Sequence, residues 1–135
     1  MQRCPVCNAR LNGAPACPRC GAELGRIRRG ERLAEQWLSV ALQSLSAGQA
    51  SLAAAAVMRS LSFRQGPEAE LLKGFLLRQQ YRRFYQGVGR QNWPEAENAL
   101  DCLRQLRGDS ETLLRFTELL AYLSARSSEN GAMGE

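Results

Sequence analysis

The stretch Cys4-Pro-Val-Cys-Asn-Ala-Arg-Leu11 returns thirteen residues later as Cys17-Pro-Arg-Cys-Gly-Ala-Glu-Leu24. Each copy holds two cysteines separated by a proline and one further residue. Two short turns of this kind can bring four thiolates to about 2.3 Å from one ion, so the repeat predicts a closed tetrahedral metal site. We expect one structural zinc ion, and the predicted ligands are Cys4, Cys7, Cys17 and Cys20.

The residues around each cysteine pair suit a tight turn. Pro5 and Pro18 preset one backbone angle, and amides near the second cysteine can then point at the thiolates. Asn8 and Gly21 follow the second cysteine of each pair. These residue types enter a left-handed conformation most cheaply, so we expect positive φ angles at both positions.

The repeat resembles the short zinc-ribbon family, whose members carry two Cys-Pro-X-Cys-Gly knuckles separated by a loop of about this length. The resemblance covers residues 1–25, with Asn8 in place of the first knuckle's glycine. It implies a zinc ribbon but leaves the function open, because the family includes nucleic-acid binders, protein adaptors and structural modules.

Three other readings of the cysteines remain as alternatives. Disulfides are typical of secreted proteins, but the N-terminus lacks the apolar segment of a signal peptide. Iron in a rubredoxin-like site uses similar knuckles with a longer loop and an aromatic shell, and residues 8–16 contain no aromatic residue. A thioredoxin-type redox pair needs a βαβ pattern, which neither cysteine pair has around it.

Composition narrows the class of protein. The 135 residues include 44% apolar residues, so the chain beyond the ribbon can form one domain with a hydrophobic core. No apolar run approaches the ~20 residues of a membrane span, and we expect a cytoplasmic protein. The chain has no histidine, which excludes mixed Cys/His zinc sites and nucleophiles activated by a histidine base. We therefore expect no enzyme, and we interpret Cys102 as a small core residue.

The basic charge is concentrated at the N-terminus. Residues 1–32 hold seven arginines and two glutamates, whereas residues 33–135 hold eleven basic and eleven acidic side chains. Four thiolates around one divalent ion would offset part of this excess. Gly25 and Gly30 bracket a small basic cluster without periodicity, which predicts a basic linker over residues 26–32. Its Arg26, Arg28 and Arg29 are candidate partner-binding residues.

The chain after the linker has a helical pattern throughout. Apolar spacing, glycines and prolines predict about five helices in antiparallel pairs. They span about 31–47, 49–64 and 67–86, then a fourth that begins near Asn92 and a fifth that begins near Asp109. A helical domain over 33–126 and a disordered tail over 127–135 complete the predicted organisation.

Residues 34–67 resemble one tetratricopeptide repeat, which implies a tetratricopeptide-like domain with a groove for a protein partner. With Ala34 as position one, large, small and glycine residues fall where such a repeat has them, at Trp37, Val40, Ala41, Gly48, Ala53, Val57, Ser60 and Leu61. The second unit fits less well, because the third helix is about ten residues too long. A plain five-helix bundle is the alternative.

These features favour a non-catalytic adaptor or scaffold that binds proteins through its helical groove, its ribbon or both. Such an adaptor could serve in the assembly of a larger complex. A second set of candidate contact residues lies on the third helix, where arginines and aromatic side chains are dense: Arg78, Tyr81, Arg82, Arg83 and Tyr85. A nucleic-acid-binding protein that uses the basic ribbon and linker is the alternative function. An iron-binding electron carrier is a third.

Overall fold

The computed structural model describes residues 2–133, and in this range five helices follow an N-terminal module (residues 2–24). The helices are α1 (Gly25–Ser46), α2 (Ala50–Phe63), α3 (Pro67–Gly89), α4 (Trp93–Arg107) and α5 (Glu111–Met133). Within residues 2–133 the extended pairing is limited to two isolated antiparallel bridges, both in the N-terminal module. The predicted class, a small cysteine module followed by five packed helices, is confirmed. None of the helices in this range has the length and apolar character to cross a membrane.

Local sequence explains where the later helices begin. Pro67 opens α3 with Glu68 and Glu70 in its first turn, where a proline and acids are favourable. The Asn92 side chain caps α4 by accepting a hydrogen bond from the Glu95 amide. The Ser110 hydroxyl accepts one from the amide of Leu113 at the start of α5 (3.2 Å).

The basic linker predicted over residues 26–32 is helical. These residues form the first two turns of α1, which begins at Gly25 directly after the cysteine repeat. Arginine is a good helix former, and a single glycine inside a helix costs only about 1 kcal/mol. Gly30 therefore does not mark the start of the helix, because a helix that has already begun continues past a glycine at small cost.

The C-terminal end also differs from the sequence prediction. We expected a disordered tail over 127–135, whereas the backbone of α5 remains helical as far as Met133. Extending an existing helix avoids the cost of nucleation, and no proline interrupts this segment. Residues 134 and 135 lie outside the part of the chain that the structure describes.

Helix α3 is three residues longer than the predicted range of 67–86, because it continues through Gly87 and Gly89. Gly87 is buried, and a Cβ atom placed on it would lie 2.9 Å from the backbone nitrogen of Ala96. The glycine therefore allows α4 to approach α3 closely. The chain turns later, at Gln91, which has a φ of +58°.

Two hydrophobic clusters hold the helices together. The first joins α1, α2 and the beginning of α3, and the end of α4 adds Leu106 to it. The second joins the end of α3 to α4 and α5 around Phe84, which stacks on Phe116 with ring centroids 5.0 Å apart. Apolar side chains on successive helical turns thus account for most of the core, as the sequence predicts.

The α1–α2 pair is antiparallel and close. Ala41 on α1 and Ala53 on α2 are both fully buried, and small residues at such positions let two helices approach. The Ser60 hydroxyl donates a buried hydrogen bond to the carbonyl of Ala34 (2.6 Å), which fixes the far end of the pair. Gly48, with a φ of +76°, makes the turn between the two helices.

Candidate metal centre

The two cysteine repeats fold into two hairpins with the same backbone. In the first, the amide of Cys4 donates to the carbonyl of Ala9 (2.9 Å), and in the second the amide of Cys17 donates to the carbonyl of Ala22 (2.9 Å). The residues after each second cysteine have positive φ, +62° at Asn8 and +75° at Gly21. The predicted left-handed positions are confirmed, and they close each knuckle over its sulfurs.

An Asn-Gly turn brings the two knuckles together. Asn12 and Gly13 have φ angles of +48° and +77°, and the amide of Ala14 donates to the carbonyl of Leu11 (2.9 Å). Positive φ at both central residues is the pattern of a type I′ turn, for which Asn-Gly is a preferred sequence. This turn was not predicted, although the Asn-Gly pair itself indicates one.

The four sulfurs converge on one point. All four Sγ atoms lie within 4.8 Å of one another, with 3.6 Å between those of Cys4 and Cys20 and 3.5 Å between those of Cys7 and Cys17. A disulfide would place two sulfurs about 2.05 Å apart. A tetrahedral ion with bonds of about 2.3 Å separates its sulfur ligands by about 3.8 Å. The arrangement therefore fits an ion held between thiolates, and the cysteines are not paired as disulfides.

Backbone amides favour thiolates at the two more buried cysteines. The amide of Cys7 lowers the pKa of Cys4, and the amide of Cys20 lowers the pKa of Cys17 to about 6. The amide of Ala22 lowers the pKa of Cys20, but desolvation and the neighbouring sulfurs outweigh it and raise that pKa to about 12. Four adjacent sulfurs therefore become fully ionised most readily when a cation compensates their charge.

Little else holds the N-terminal module in shape. Its core consists of the first cysteine of each pair with Leu11 and Leu24, the leucines that end the two repeats. Both leucines are buried, and the partly buried side chains that pack around them are Cys7, Ala9 and Ala22. The cysteine cluster is thus the centre of this small core.

Arg28 connects the module to the helical part of the chain. Its guanidinium donates from Nη1 to the carbonyl of Gly13 (3.1 Å) and from Nη2 to the carbonyl of Ala14. Arg26 and Arg29, the other two arginines proposed for partner binding in this segment, are exposed. Arg28 therefore has a structural contact that the sequence did not predict, because its acceptors lie in a turn fourteen and fifteen residues earlier.

The arginines and tyrosines predicted as a contact set on α3 point in different directions. Tyr81 and Tyr85 pack edge-on against Phe116 of α5, at centroid distances of 6.2 and 6.0 Å. Arg83 is half-buried and lies 3.8 Å from Glu95 of α4. Arg78 and Arg82 are exposed. The aromatic members of the set thus contribute to packing.

The fifth cysteine lies apart from this centre. Cys102 is buried on α4, and burial raises the pKa of its thiol. A buried thiol with a raised pKa is a weak nucleophile, which agrees with the interpretation of Cys102 as a small core residue.

Comparisons with known proteins found no matching family model, no matching curated protein and no matching solved structure. The proposed function therefore rests on the geometry of the cysteine centre and of the helical surface.

Proposed function

We propose that this chain is a non-catalytic adaptor, in which a zinc ribbon and a tetratricopeptide-like helical body bind protein partners. Zinc is the proposed ion because four thiolates in a small tetrahedral site suit it well. Four protein ligands leave no coordination position for a reacting water, which argues against metal-assisted hydrolysis. An iron centre with the same ligands would be coloured, so elemental analysis and a visible spectrum of the purified protein distinguish the two metals.

A groove on the outer face of the α1–α2 pair supports protein binding most directly. The groove has a volume of about 290 Å³ and is lined mainly by apolar side chains: Trp37, Val40, Ser44, Leu52, Ala55, Ala56 and Arg59. Val40 and Leu52 expose 42% and 55% of their surface. A partner that covers these side chains would remove about 25 cal/mol of unfavourable hydration per Å² of apolar surface.

The proposed occupant is an amphipathic helix of a protein partner with an acidic residue beside its apolar face. Arg59 is the one charged residue among the residues that line the groove, and its guanidinium lies 5.6 Å from the centre of the Phe63 ring. A cation held at the edge of an apolar groove favours a carboxylate on the partner. The small residues Ala41 and Ala53 between the helices match a tetratricopeptide-like pair and support that part of the proposal.

The experiment compares two exposed leucines. Leu52→Asp introduces a charge in the groove, and Leu42→Asp introduces the same charge at a leucine that is 50% exposed and outside it. Partners captured from the native cell by the full chain are identified, purified and tested for direct binding by calorimetry. We expect Leu52→Asp to weaken binding at least about tenfold and Leu42→Asp to leave it nearly unchanged.

Three outcomes would contradict the proposed occupant. Equal effects of the two substitutions would show that the groove is not the contact. Self-association of the wild-type chain that Leu52→Asp abolishes would identify a second copy as the occupant. Capture of nucleic acid in place of protein would favour the alternative function.

The alternative, nucleic-acid binding, is supported by the exposed arginines at the start of α1, Arg26 and Arg29. Phosphate contacts release counterions, so this function predicts an affinity that falls steeply with salt concentration. A titration of single-stranded and double-stranded DNA at several salt concentrations tests it with the same purified protein.

A further inference from the structure

Arg3 and Arg10 face each other across the first knuckle of the N-terminal module. They form an isolated antiparallel bridge, and the backbone hydrogen bonds on either side of it are 2.9 and 3.0 Å long. This pattern makes them a pair without hydrogen bonds between the two residues themselves, in which the Cα atoms are about 4.5 Å apart and both side chains leave the same face. The side chains of Arg3 and Arg10 therefore leave the same face of the first knuckle, and both line one cleft.

The second knuckle shows that the fold does not require this pair. Its equivalent bridge joins Ala16 to Glu23, with flanking hydrogen bonds of the same lengths, 2.9 and 3.0 Å. One backbone thus carries two arginines in one copy and a small and an acidic residue in the other. Like charges placed directly opposite each other destabilise a strand pair. The arginine pair is therefore less favourable for folding than the pair on the second knuckle, and a bound anion would reduce the repulsion between its charges.

The surroundings of the pair leave room for such an anion. A cleft of about 350 Å³ lies beside the two arginines, and none of the residues among 2–133 that line it is acidic: Gln2, Arg3, Arg10, Asn12 and Gly13. Arg3 donates from Nη1 to the carbonyl of Asn8 (3.2 Å), and this contact leaves the rest of its guanidinium available. Two forked donors at one cleft match the two oxygens of a carboxylate.

We propose that this cleft binds carboxylate side chains from an acidic segment of a protein partner. The inference rests on the proposed adaptor function for the identity of the partner as a protein, but it concerns a different surface from the α1–α2 groove. The ribbon would recognise the charge of the segment, while the groove would recognise the apolar face of a helix.

Two observations favour an acidic protein segment over nucleic acid. The equivalent positions of the second knuckle hold Ala16 and Glu23, so the arginine pair is not repeated there. The module also lacks any aromatic residue between positions 2 and 24, so it has no ring on which a base could stack. A discrete carboxylate site needs neither feature.

The first experiment measures binding of a fluorescently labelled glutamate-rich peptide to the full metal-loaded chain by anisotropy. The test variant is the double substitution Arg3→Gln with Arg10→Gln. The matched control is Arg19→Gln with Arg26→Gln, which removes the same charge from two exposed arginines outside the cleft. We expect about a tenfold loss of affinity in the test variant and less than about a twofold change in the control.

Metal content separates binding from a purely structural role of the arginines. If Arg3 and Arg10 served only to offset the charge of the metal centre, the test variant would lose metal affinity, measured by competition with a chelator, and would bind the peptide as the control does. That result would overturn the proposal. Unchanged metal content together with weaker peptide binding supports it.

A transplanted site keeps the test independent of any loss of folding. Ala16→Arg with Glu23→Arg reproduces the arginine pair on the second knuckle, and it should raise the number of peptides bound per chain from one to two. A stoichiometry that stays at one would contradict the proposed geometry.

Single-stranded DNA with the same charge as the peptide is the competing arm. If DNA bound more tightly than the peptide, and this binding depended on Arg3 and Arg10, the ligand of the cleft would be a nucleic acid and not a protein.

The Leu52→Asp variant should bind the glutamate-rich peptide as tightly as the wild-type chain does. If the peptide does not bind at the cleft, the proposed adaptor function can still hold. If Leu52→Asp does not weaken partner binding, the proposed carboxylate site can still hold.

Discussion

The N-terminal module and the helical body reach a defined structure by different means. The module buries two leucines around its cysteines, worth about 1.5–3 kcal/mol each, whereas ordering residues 2–24 costs about 1–2 kcal/mol per residue. The helical body has two apolar clusters that span all five helices. We therefore expect the module to need a bound ion in order to fold, whereas the helical body has an apolar core of its own.

The largest expected effect comes from losing one metal ligand. Cys17→Ser should abolish tight metal binding and unfold residues 2–24, because structural zinc sites supply about 10–16 kcal/mol of apparent free energy. The far-UV circular dichroism of the helices should remain mostly unchanged. Bound metal is measured by native mass spectrometry, and the fold of the module by the dispersion of its amide signals in NMR spectra. Ser substitutions at Cys4, Cys7 and Cys20 should have the same effect.

Cys102→Ser is the matched control for this prediction, because it changes the one buried cysteine outside the centre. It should keep the metal and destabilise only the helical body. Collapse of the helical signal in Cys17→Ser would contradict the comparison, since the body would then depend on the ion.

The next effect concerns packing of α4 against α3. Gly87→Ala places a methyl group 2.9 Å from the backbone nitrogen of Ala96, and the two helices must separate to accept it. We expect a loss of about 1–3 kcal/mol in the free energy of unfolding, measured by urea denaturation, with metal content unchanged.

Gly74→Ala, on the same helix, should raise the free energy of unfolding, whereas Gly87→Ala lowers it. A Cβ atom at Gly74 meets only the end of the Arg78 side chain, at 3.6 Å. Removing a glycine from a helix interior stabilises by up to about 1 kcal/mol. If both substitutions gave the same change, the close approach at Gly87 would not be a determinant of the fold.

A smaller effect is expected at the buried hydroxyl between α1 and α2. Ser60→Ala removes the donor to the carbonyl of Ala34 (2.6 Å) and should cost about 1 kcal/mol, because that bond is fully buried. Ser62→Ala is the control, since its hydroxyl bonds the carbonyl of Arg59 within the same helix at an exposed site. Thermal denaturation of the two variants measures the difference. Because alanine is the better helix former, Ser62→Ala should be neutral or slightly stabilising. A loss at Ser62 as large as the loss at Ser60 would show that the buried bond between the two helices does not set the effect.

Features set by local chemistry could be predicted from the sequence. The cysteine spacing, the left-handed positions after each knuckle and the starts of α3, α4 and α5 depend on neighbouring residues, and the structure has them where they were expected. The sequence alone therefore indicated that Cys4, Cys7, Cys17 and Cys20 would lie together, as they do in the structure.

Features set by contacts between distant residues could not be predicted in this way. Gly87 resembles a helix terminator until Ala96 is known to lie against it. Arg28 resembles a free surface charge until the turn at Gly13 and Ala14 is placed beside it. Arg3 pairs with Arg10 because of the register of the first hairpin, and the spacing of the cysteines alone does not predict that register.

The smallest expected effect on stability is at Arg28, where the two regions meet. Arg28→Gln loses the hydrogen bonds to the carbonyls of Gly13 and Ala14, while the backbone bond from its amide to the carbonyl of Leu24 (2.9 Å) remains. The free energy of unfolding should fall by no more than about 1 kcal/mol, and metal binding should be unchanged.

The module should nevertheless move more independently of α1 in this variant. ¹⁵N relaxation would then report a shorter rotational correlation time for residues 2–24 than for the helices, whereas the exposed neighbour substitution Arg29→Gln should leave the two times equal. Equal correlation times in Arg28→Gln would mean that the helical continuity from Leu24 into α1 fixes the module by itself. The two regions would then be coupled through the backbone, and the guanidinium would contribute little to the position of the module relative to α1.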